Sequence, residues 1–305
     1  MIPLVLWSYD ASPFTQKALL LLGLKKMDWS WVETPMMPPK AHLGALTGGY
    51  RGTPVLQDGA DVYVDSQLIA RRLEELQPLP TLFPSGVGLE HGLVRWSDAF
   101  FRAGLKIVLA VTLPAWPAAF RSDRQHLFPD IDFDTVADDL GHSRAQFRAH
   151  ASLLEDQLVD GRPFLAGSNA GLADVQAYPV VWLARGSVPD VAAVLLDDFP
   201  ALRRWEQRMQ LIGEGQRTPA GAEEALSIAR NAAPKAIAFA DPHDAQGLRC
   251  GQRVTVAPDD TRRGAVTGDI VIARPGVVAV RHRDAAVGEV VVHFPRLGYR
   301  VVRVG

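Results

Sequence analysis

From about residue 89 to about residue 230 the apolar residues recur at helical spacing and no segment alternates like a strand, whereas both flanks do alternate. This asymmetry is the strongest constraint on the fold, because a helix-period pattern does not settle into a sheet, nor a strand-period pattern into a bundle. It predicts three parts in series: an α/β domain over residues 1–80, an all-helical domain over 89–230 and a small all-β domain over 235–305. A chain of 305 residues is long enough for each of the larger parts to bury its own core.

Within the first part, the head of the chain through Trp7 reads as a strand and Pro13 to Leu24 as a helix. Trp29 to Val32 reads as a second strand, and Pro35 to Tyr50, rich in proline and glycine, as an irregular segment holding at most one short helix. Pro54-Val55-Leu56 and Val62-Tyr63-Val64 flank Asp58-Gly59, the composition of a tight hairpin. From Asp65 onward Leu68, Ile69, Leu73 and Leu76 mark a helix that Pro78 and Pro80 stop. A proline-rich linker to Gly88 follows. Breaks near Pro114, Pro129, Pro163 and Pro189 cut the middle into about five or six helices, which a bundle packs economically. After Pro234 five short strands are expected, around residues 253–256, 270–272, 277–280, 289–293 and 299–303.

Composition narrows the function. The 32 Lys and Arg against 34 Asp and Glu leave a net charge of −2, which supplies no general field for nucleic acid or an anionic membrane, so a small-molecule partner is expected. The ten arginines and seven acids after residue 240 read as a solvated surface. The single cysteine, Cys250, excludes internal disulfides, paired-cysteine redox chemistry and cysteine-rich zinc sites; His243, His282 and His293 lack ligand-like spacing, so no metal is assigned. Any thiol chemistry must use a borrowed thiol. The beginning of the chain lacks a basic n-region and a cleavage site, and the most apolar run, Ile107 to Leu113, is far short of the ~20 residues of a bilayer span; a cytoplasmic protein without a membrane contact is expected.

Four features of the first part match a family pattern. Ser12-Pro13-Phe14 opens the first helix, Thr53-Pro54 precedes a hairpin, Asp58-Gly59 turns it, and Asp65-Ser66, eleven and twelve residues after Pro54, opens the next helix. The sequence resembles the glutathione S-transferases over about residues 2 to 84. That resemblance implies a thioredoxin-like domain with a cis Pro54, Thr53 pairing through its backbone with the cysteinyl part of glutathione, and Asp65 with Ser66 holding its γ-glutamyl end. Phe14 belongs to the same motif. For the glycine carboxylate, relatives use a basic residue in the loop before the proline; Lys40, His42 and Arg51 are available, and Lys40 fits the spacing best, while the family's Gly-Lys is here the reversed Arg51-Gly52.

These residues also carry a purely structural reading. A serine directly before a proline at the first helical position is an ordinary N-cap, as are Asp and Ser at 65 and 66. The functional reading uses the same geometry, since a hydroxyl at a helix N-terminus stabilises an anion, here the glutathione thiolate. Tyr9 is the competing hydroxyl on the loop before the helix.

In the middle part, Gly171-Leu-Ala-Asp174 looks like the transferases' capping box with Gly171 in place of the usual Ser or Thr. Trp96, Phe100, Phe101, Trp116, Phe120 and Tyr178 either line an electrophile pocket or belong to the core. The final β module resembles an extension found on a subset of transferase-like proteins. The resemblance therefore implies a homodimeric glutathione transferase acting in detoxification, with Ser12 assisting the glutathione thiol and a small electrophile as second substrate. The alternative is a non-catalytic transferase-fold scaffold that acts through its C-terminal β module.

Overall fold

The structure, a computed structural model, describes residues 3–305. In chain order the elements are β1 (Leu4–Ser8), α1 (Pro13–Leu24), β2 (Asp28–Glu33), α2 (Ala41–Thr47), β3 (Val55–Asp58), β4 (Asp61–Val64) and α3 (Ser66–Leu76). Then come α4 (Val87–Thr112), α5 (Ala118–Leu127), α6 (Leu140–Leu158), α7 (Leu172–Ser187), α8 (Pro189–Leu196) and α9 (Pro200–Gln210). The chain ends with β5 (Gln216–Pro219), α10 (Ala222–Arg230), β6 (Phe239–Ala240), β7 (Arg253–Pro258), β8 (Val266–Arg274), β9 (Val277–Asp284), β10 (Gly288–Pro295) and β11 (Tyr299–Arg303). Met1 and Ile2, at the head of the first expected strand, lie outside the described residues.

Two compact units emerge. One comprises the chain up to Ala18, Met27–Leu73 and Gly215–Gly305; the other comprises Leu19–Lys26 and Glu74–Glu214. Every strand lies in the first unit, in one sheet ordered β11-β7-β8-β9-β10-β4-β3-β1-β2-β5, with β6 paired to β8. Its amino-terminal part is thioredoxin-like: β1 runs parallel to β2 and antiparallel to β3, and β3 and β4 form the expected hairpin, with Gly59 at φ 67°. Glycine is needed there because the turn requires a left-handed backbone.

The five expected carboxy-terminal strands all form, and they continue this sheet. β10 pairs in parallel with β4 through Val291↔Asp61, Val292↔Val62 and His293↔Tyr63. Left uncovered, β4 would present a row of unpaired N–H and C=O groups; β10 satisfies them. The core is correspondingly shared, with Val5, Trp7, Val55, Val62 and Val64 packing in one cluster with Val254, Val266, Val280, Val292 and Phe294. Polar groups secure the junction. His293 Nε2 lies 2.8 Å from Asp61 Oδ1 with its ring stacked 4.4 Å from that of Tyr63, and the Lys235 N–H donates to Asp61 Oδ2 at 2.6 Å. The histidine thus has a structural partner in Asp61.

The strandless stretch ends earlier than the apolar spacing suggests. Gln216–Pro219, with only charged, polar and proline residues, pairs in parallel with β2, and α10 packs on the same sheet-bearing unit. Pairing with an existing strand overrides weak local propensity here.

The second unit is helical, as expected. α4 packs against α6 and α7. α8 starts at Pro189, where a missing N–H costs nothing, and α7 accommodates Pro179 inside its length. At the start of α7, Asp174 Oδ2 accepts the Gly171 N–H at 3.0 Å, as the capping box requires, while Oδ1 accepts from Leu165 N–H (2.9 Å) and Trp205 Nε1 (2.7 Å). Gly171 is explained by crowding: a Cβ there would lie 2.8 Å from both Glu90 Oε1 and Pro84 Cδ. Glu90 supplies what the absent serine would have done, its Oε2 accepting the Ala173 N–H at 2.8 Å. Burial, reinforced by nearby Glu90 and opposed by its three donors, pushes the Asp174 carboxyl up to about 6.

Candidate functional site: two helix starts joined by the C-terminal strands

The sheet register gathers the sequence motifs at one end. β1 pairs β3 as far as Trp7↔Val55, and β3 pairs β4 as far as Val55↔Val64, so Ser8, Pro54 and Asp65 follow at the same end. The Thr53–Pro54 peptide is cis, as the resemblance implies. Thr53 itself lies beyond the last paired residue of β3.

Ser12 closes the loop after β1. Its N–H donates to the Tyr9 carbonyl at 3.3 Å, its carbonyl accepts the Gln16 N–H at 3.2 Å, and its Oγ accepts the Thr15 N–H at 3.3 Å. Ser12 is therefore the N-cap of α1, and it is only 2% exposed. As cap, the hydroxyl uses a lone pair, so its own hydrogen remains available to donate. Behind it, the buried hydroxyls of Ser8 and Thr15 bond to each other.

Tyr9 occupies the same turn, with the ammonium of Lys40 lying 5.4 Å over its ring. Lys40 caps α2 with its carbonyl, which accepts the Gly44 N–H at 2.8 Å. His42 is exposed and faces Glu223 of α10 at 3.0 Å. Arg51 donates its backbone N–H to the carbonyl of Arg263 at 2.7 Å. Lys40 is thus the basic candidate that the structure brings to the Tyr9 turn.

Asp65 precedes α3 with φ 73°, a left-handed conformation that Asp tolerates better than most non-glycine residues. Its carbonyl accepts from Leu68 and Ile69, and its Oδ1 accepts the Gln67 N–H at 3.0 Å, so it caps α3; Ser66, the first helical residue, is buried. Its second oxygen meets the carboxy-terminal strands. Tyr299 Oη donates to Oδ2 at 3.3 Å, and Arg263 Nη1 lies 3.9 Å from the same oxygen. The Arg263 guanidinium also lies 5.4 Å over the ring of Phe14, two residues beyond Ser12. One arginine from the β7–β8 loop thereby connects the starts of α1 and α3.

Tyr50 and Tyr299 stand beside this arginine, their hydroxyls 3.1 Å apart, and the guanidinium hydrogen-bonds to Tyr50. Burial pushes the Tyr50 hydroxyl above its usual range, and burial together with Tyr50 and Asp65 pushes Tyr299 well above it, so both stay neutral. Burial works against the charge on Arg263, and its pKa is raised nonetheless, with Asp65 and Asp260 the nearby carboxylates that favour the charged form. Sequence reading missed Arg263, Tyr299 and Tyr50. The only local signals are a turn, Arg262-Arg263-Gly264, and a tyrosine after Gly298; neither points to Asp65 more than 190 residues earlier.

Of the aromatics offered for an electrophile pocket, Phe100 packs on Phe147 and Trp96, Trp116 on Phe120 and Phe133, and Tyr178 on Trp205. Among the described residues no group of three or more His, Cys, Asp and Glu is placed to hold a metal ion, and no helix is long and apolar enough to cross a membrane.

A thioredoxin-like sheet unit with a cis-proline facing two capped helix starts, carried on a chain with a helical unit, defines a glutathione transferase-type protein. The comparisons agree. Residues 6–81 match the model of the glutathione S-transferase N-terminal domain and residues 115–208 that of the C-terminal domain. The chain belongs to the glutathione S-transferase family. A GST-like protein from Pseudomonas syringae is 34% identical, with 100% of both chains covered and a TM-score of 0.80. The beta-etherase LigF from Sphingobium sp. strain SYK-6 (16% identity, TM-score 0.53) is covered over 95% of its length but spans only 69% of this chain. A glutathione S-transferase from Rhodospirillum rubrum (22%, TM-score 0.50) is covered over 87% and spans 68%. These two show the fold alone, whereas the Pseudomonas protein matches through the carboxy-terminal strands as well. No curated protein matches the chain.

Proposed function

We propose that the protein is a glutathione-conjugating transferase in which Ser12 stabilises the glutathione thiolate. The observation that carries this reading is the Ser12 hydroxyl, which caps α1 through a lone pair and so keeps its hydrogen for an anion at the helix N-terminus. Lowering a thiol pKa from ~8.5 by two units takes ~2.7 kcal/mol of differential stabilisation, within reach of one charge-assisted hydrogen bond plus a helix end. The thiol proton leaves to solvent. The sulfur then forms a bond to an electrophilic carbon, which releases its leaving group or opens its epoxide with the bonding electrons.

Thr53 holds the cysteinyl part through its backbone, Asp65 and Ser66 hold the γ-glutamyl end, and Lys40 is the candidate for the glycine carboxylate. Tyr9, next to Lys40, is the second candidate for the activating hydroxyl. A serine cannot form a mixed disulfide, which favours conjugation over thiol exchange. The protein acts on small electrophiles in the cytoplasm as a homodimer, in keeping with the family. The test is a pH titration of the ultraviolet thiolate absorbance of glutathione added to the protein and to Ser12→Ala. A thiolate at neutral pH that disappears in the variant supports the reading; no thiolate at saturating glutathione refutes it in favour of a non-catalytic scaffold.

A further inference from the structure

The arginine from the β7–β8 loop is placed too carefully for a strut. Gly264, at φ 95°, lets the loop approach the backbone before the cis-proline: a Cβ there would lie 2.5 Å from the Gly49 carbonyl oxygen. On the other side of that contact the Arg51 N–H holds the Arg263 carbonyl at 2.7 Å. Anchored at both points, the side chain extends over Phe14 toward Asp65; it is 18% exposed overall, and the Asp65 side chain 17%. At 3.9 Å the two charges attract without the close bidentate pairing that an arginine and a carboxylate form when they satisfy each other. Asp65 Oδ1 is meanwhile committed to the helix start.

An anion and a cation thus lie side by side, each partly exposed, although Tyr299 already donates to Asp65 Oδ2. A free α-amino acid head carries an ammonium and a carboxylate on one carbon and matches both. The ammonium suits Asp65, and the planar carboxylate suits the guanidinium fork. We propose that Arg263 binds the free carboxylate of the γ-glutamyl head of glutathione, which makes the carboxy-terminal strands part of the substrate site and the unmodified amino-acid head a requirement for binding. This inference rests on glutathione being the bound thiol.

Two analogues separate the contributions: γ-aminobutyryl-cysteinyl-glycine, which lacks the head carboxylate, and glutaryl-cysteinyl-glycine, which lacks the head ammonium. Their affinities are measured by calorimetry on the full chain, the Arg263→Gln variant and the Arg263→Lys variant. In the wild type, loss of the carboxylate should weaken binding roughly ten- to hundredfold, the range of a charge-assisted hydrogen bond. Arg263→Gln should weaken glutathione and the glutaryl analogue by a similar factor while leaving the carboxylate-free analogue unchanged, and Arg263→Lys should recover part of the loss.

A merely structural arginine would weaken all three ligands equally, and that result overturns the proposal. So does wild-type binding of glutathione and the carboxylate-free analogue within twofold, a comparison that does not depend on the variants folding. If the wild type binds no glutathione, the parent reading fails first and this one with it.

Discussion

The starts of α3 and α7 use the same chemistry to different ends. An aspartate serves each, Asp65 as the cap of α3 and Asp174 from the third helical position of α7's capping box, and each recruits its remaining partners from far along the chain. Asp65 is half-buried beside a cation, Arg263, and a hydroxyl, Tyr299. Asp174 is fully buried beside another carboxylate, Glu90, and its oxygens are consumed by three donors. The first arrangement keeps opposite charges partly exposed; the second is buried with its carboxylate oxygens taken up, which makes it a lock. A capping motif therefore states where a helix begins, and its surroundings decide whether it can also bind.

The most severe way to break this comparison is to remove the partners of Asp65 altogether. A chain ending at Pro234 loses β6 to β11, uncovers the outer edge of β4 and empties half of a shared core. Loss of soluble, folded protein is expected, read by expression and far-ultraviolet circular dichroism. A soluble truncated chain that binds glutathione as the full chain does would show the strands to be an ornament.

The lock at α7 is sharpened by pH. The Asp174 carboxyl titrates near 6 when folded and near 3.8 when unfolded, so between those values the native state holds more protons. Stability should therefore fall as pH rises from about 4 to about 6, with this group contributing about 3 kcal/mol. Asp58, held below its usual range by Lys235 and Arg72 against the opposing effect of burial, has the opposite sign and acts at lower pH, where its contribution is lost on acidification. Denaturant titrations at several pH values should show a flatter profile for Asp174→Asn over the upper interval. An unchanged slope would mean that Asp174 is ionised throughout.

Smaller effects belong to the α1 and α3 starts. Ser12→Ala should lower conjugation roughly ten- to hundredfold while leaving glutathione affinity within a few-fold, and lower stability by about 1 kcal/mol for the lost cap. Steady-state kinetics and denaturation separate the two losses, and unchanged turnover would return Ser12 to a purely structural role. Tyr299→Phe removes the hydroxyl shared by Asp65 and Tyr50 and should cost about 1 kcal/mol, visible as a shifted denaturation midpoint.

Much of this architecture was legible in the sequence. Ser12-Pro13, the Asp58-Gly59 hairpin, Asp65-Ser66 and the five final strands are encoded by neighbours a few residues apart, because caps, turns and side-chain periodicity act over that range. Gly171 was legible only as a departure from a motif, since the carboxylate that replaces the missing serine comes from Glu90 on another helix. The strand at Gln216–Pro219 left no trace in its own composition, because its pairing with β2 alone makes it a strand.

By itself, then, the sequence determined most of the helices and strands, Gln216–Pro219 excepted, and where the two capped helix starts of the site fall, and through its resemblance it pointed to the cis-proline between them. Only the tertiary structure decided that β10 covers β4, and with it that Arg263 and Tyr299 stand beside Asp65. The physical reason is that the edge of β4 can be satisfied by any strand with free backbone groups. Partner and register are chosen by burial of a common core and by the Asp61–His293 contact, between residues far apart in the chain.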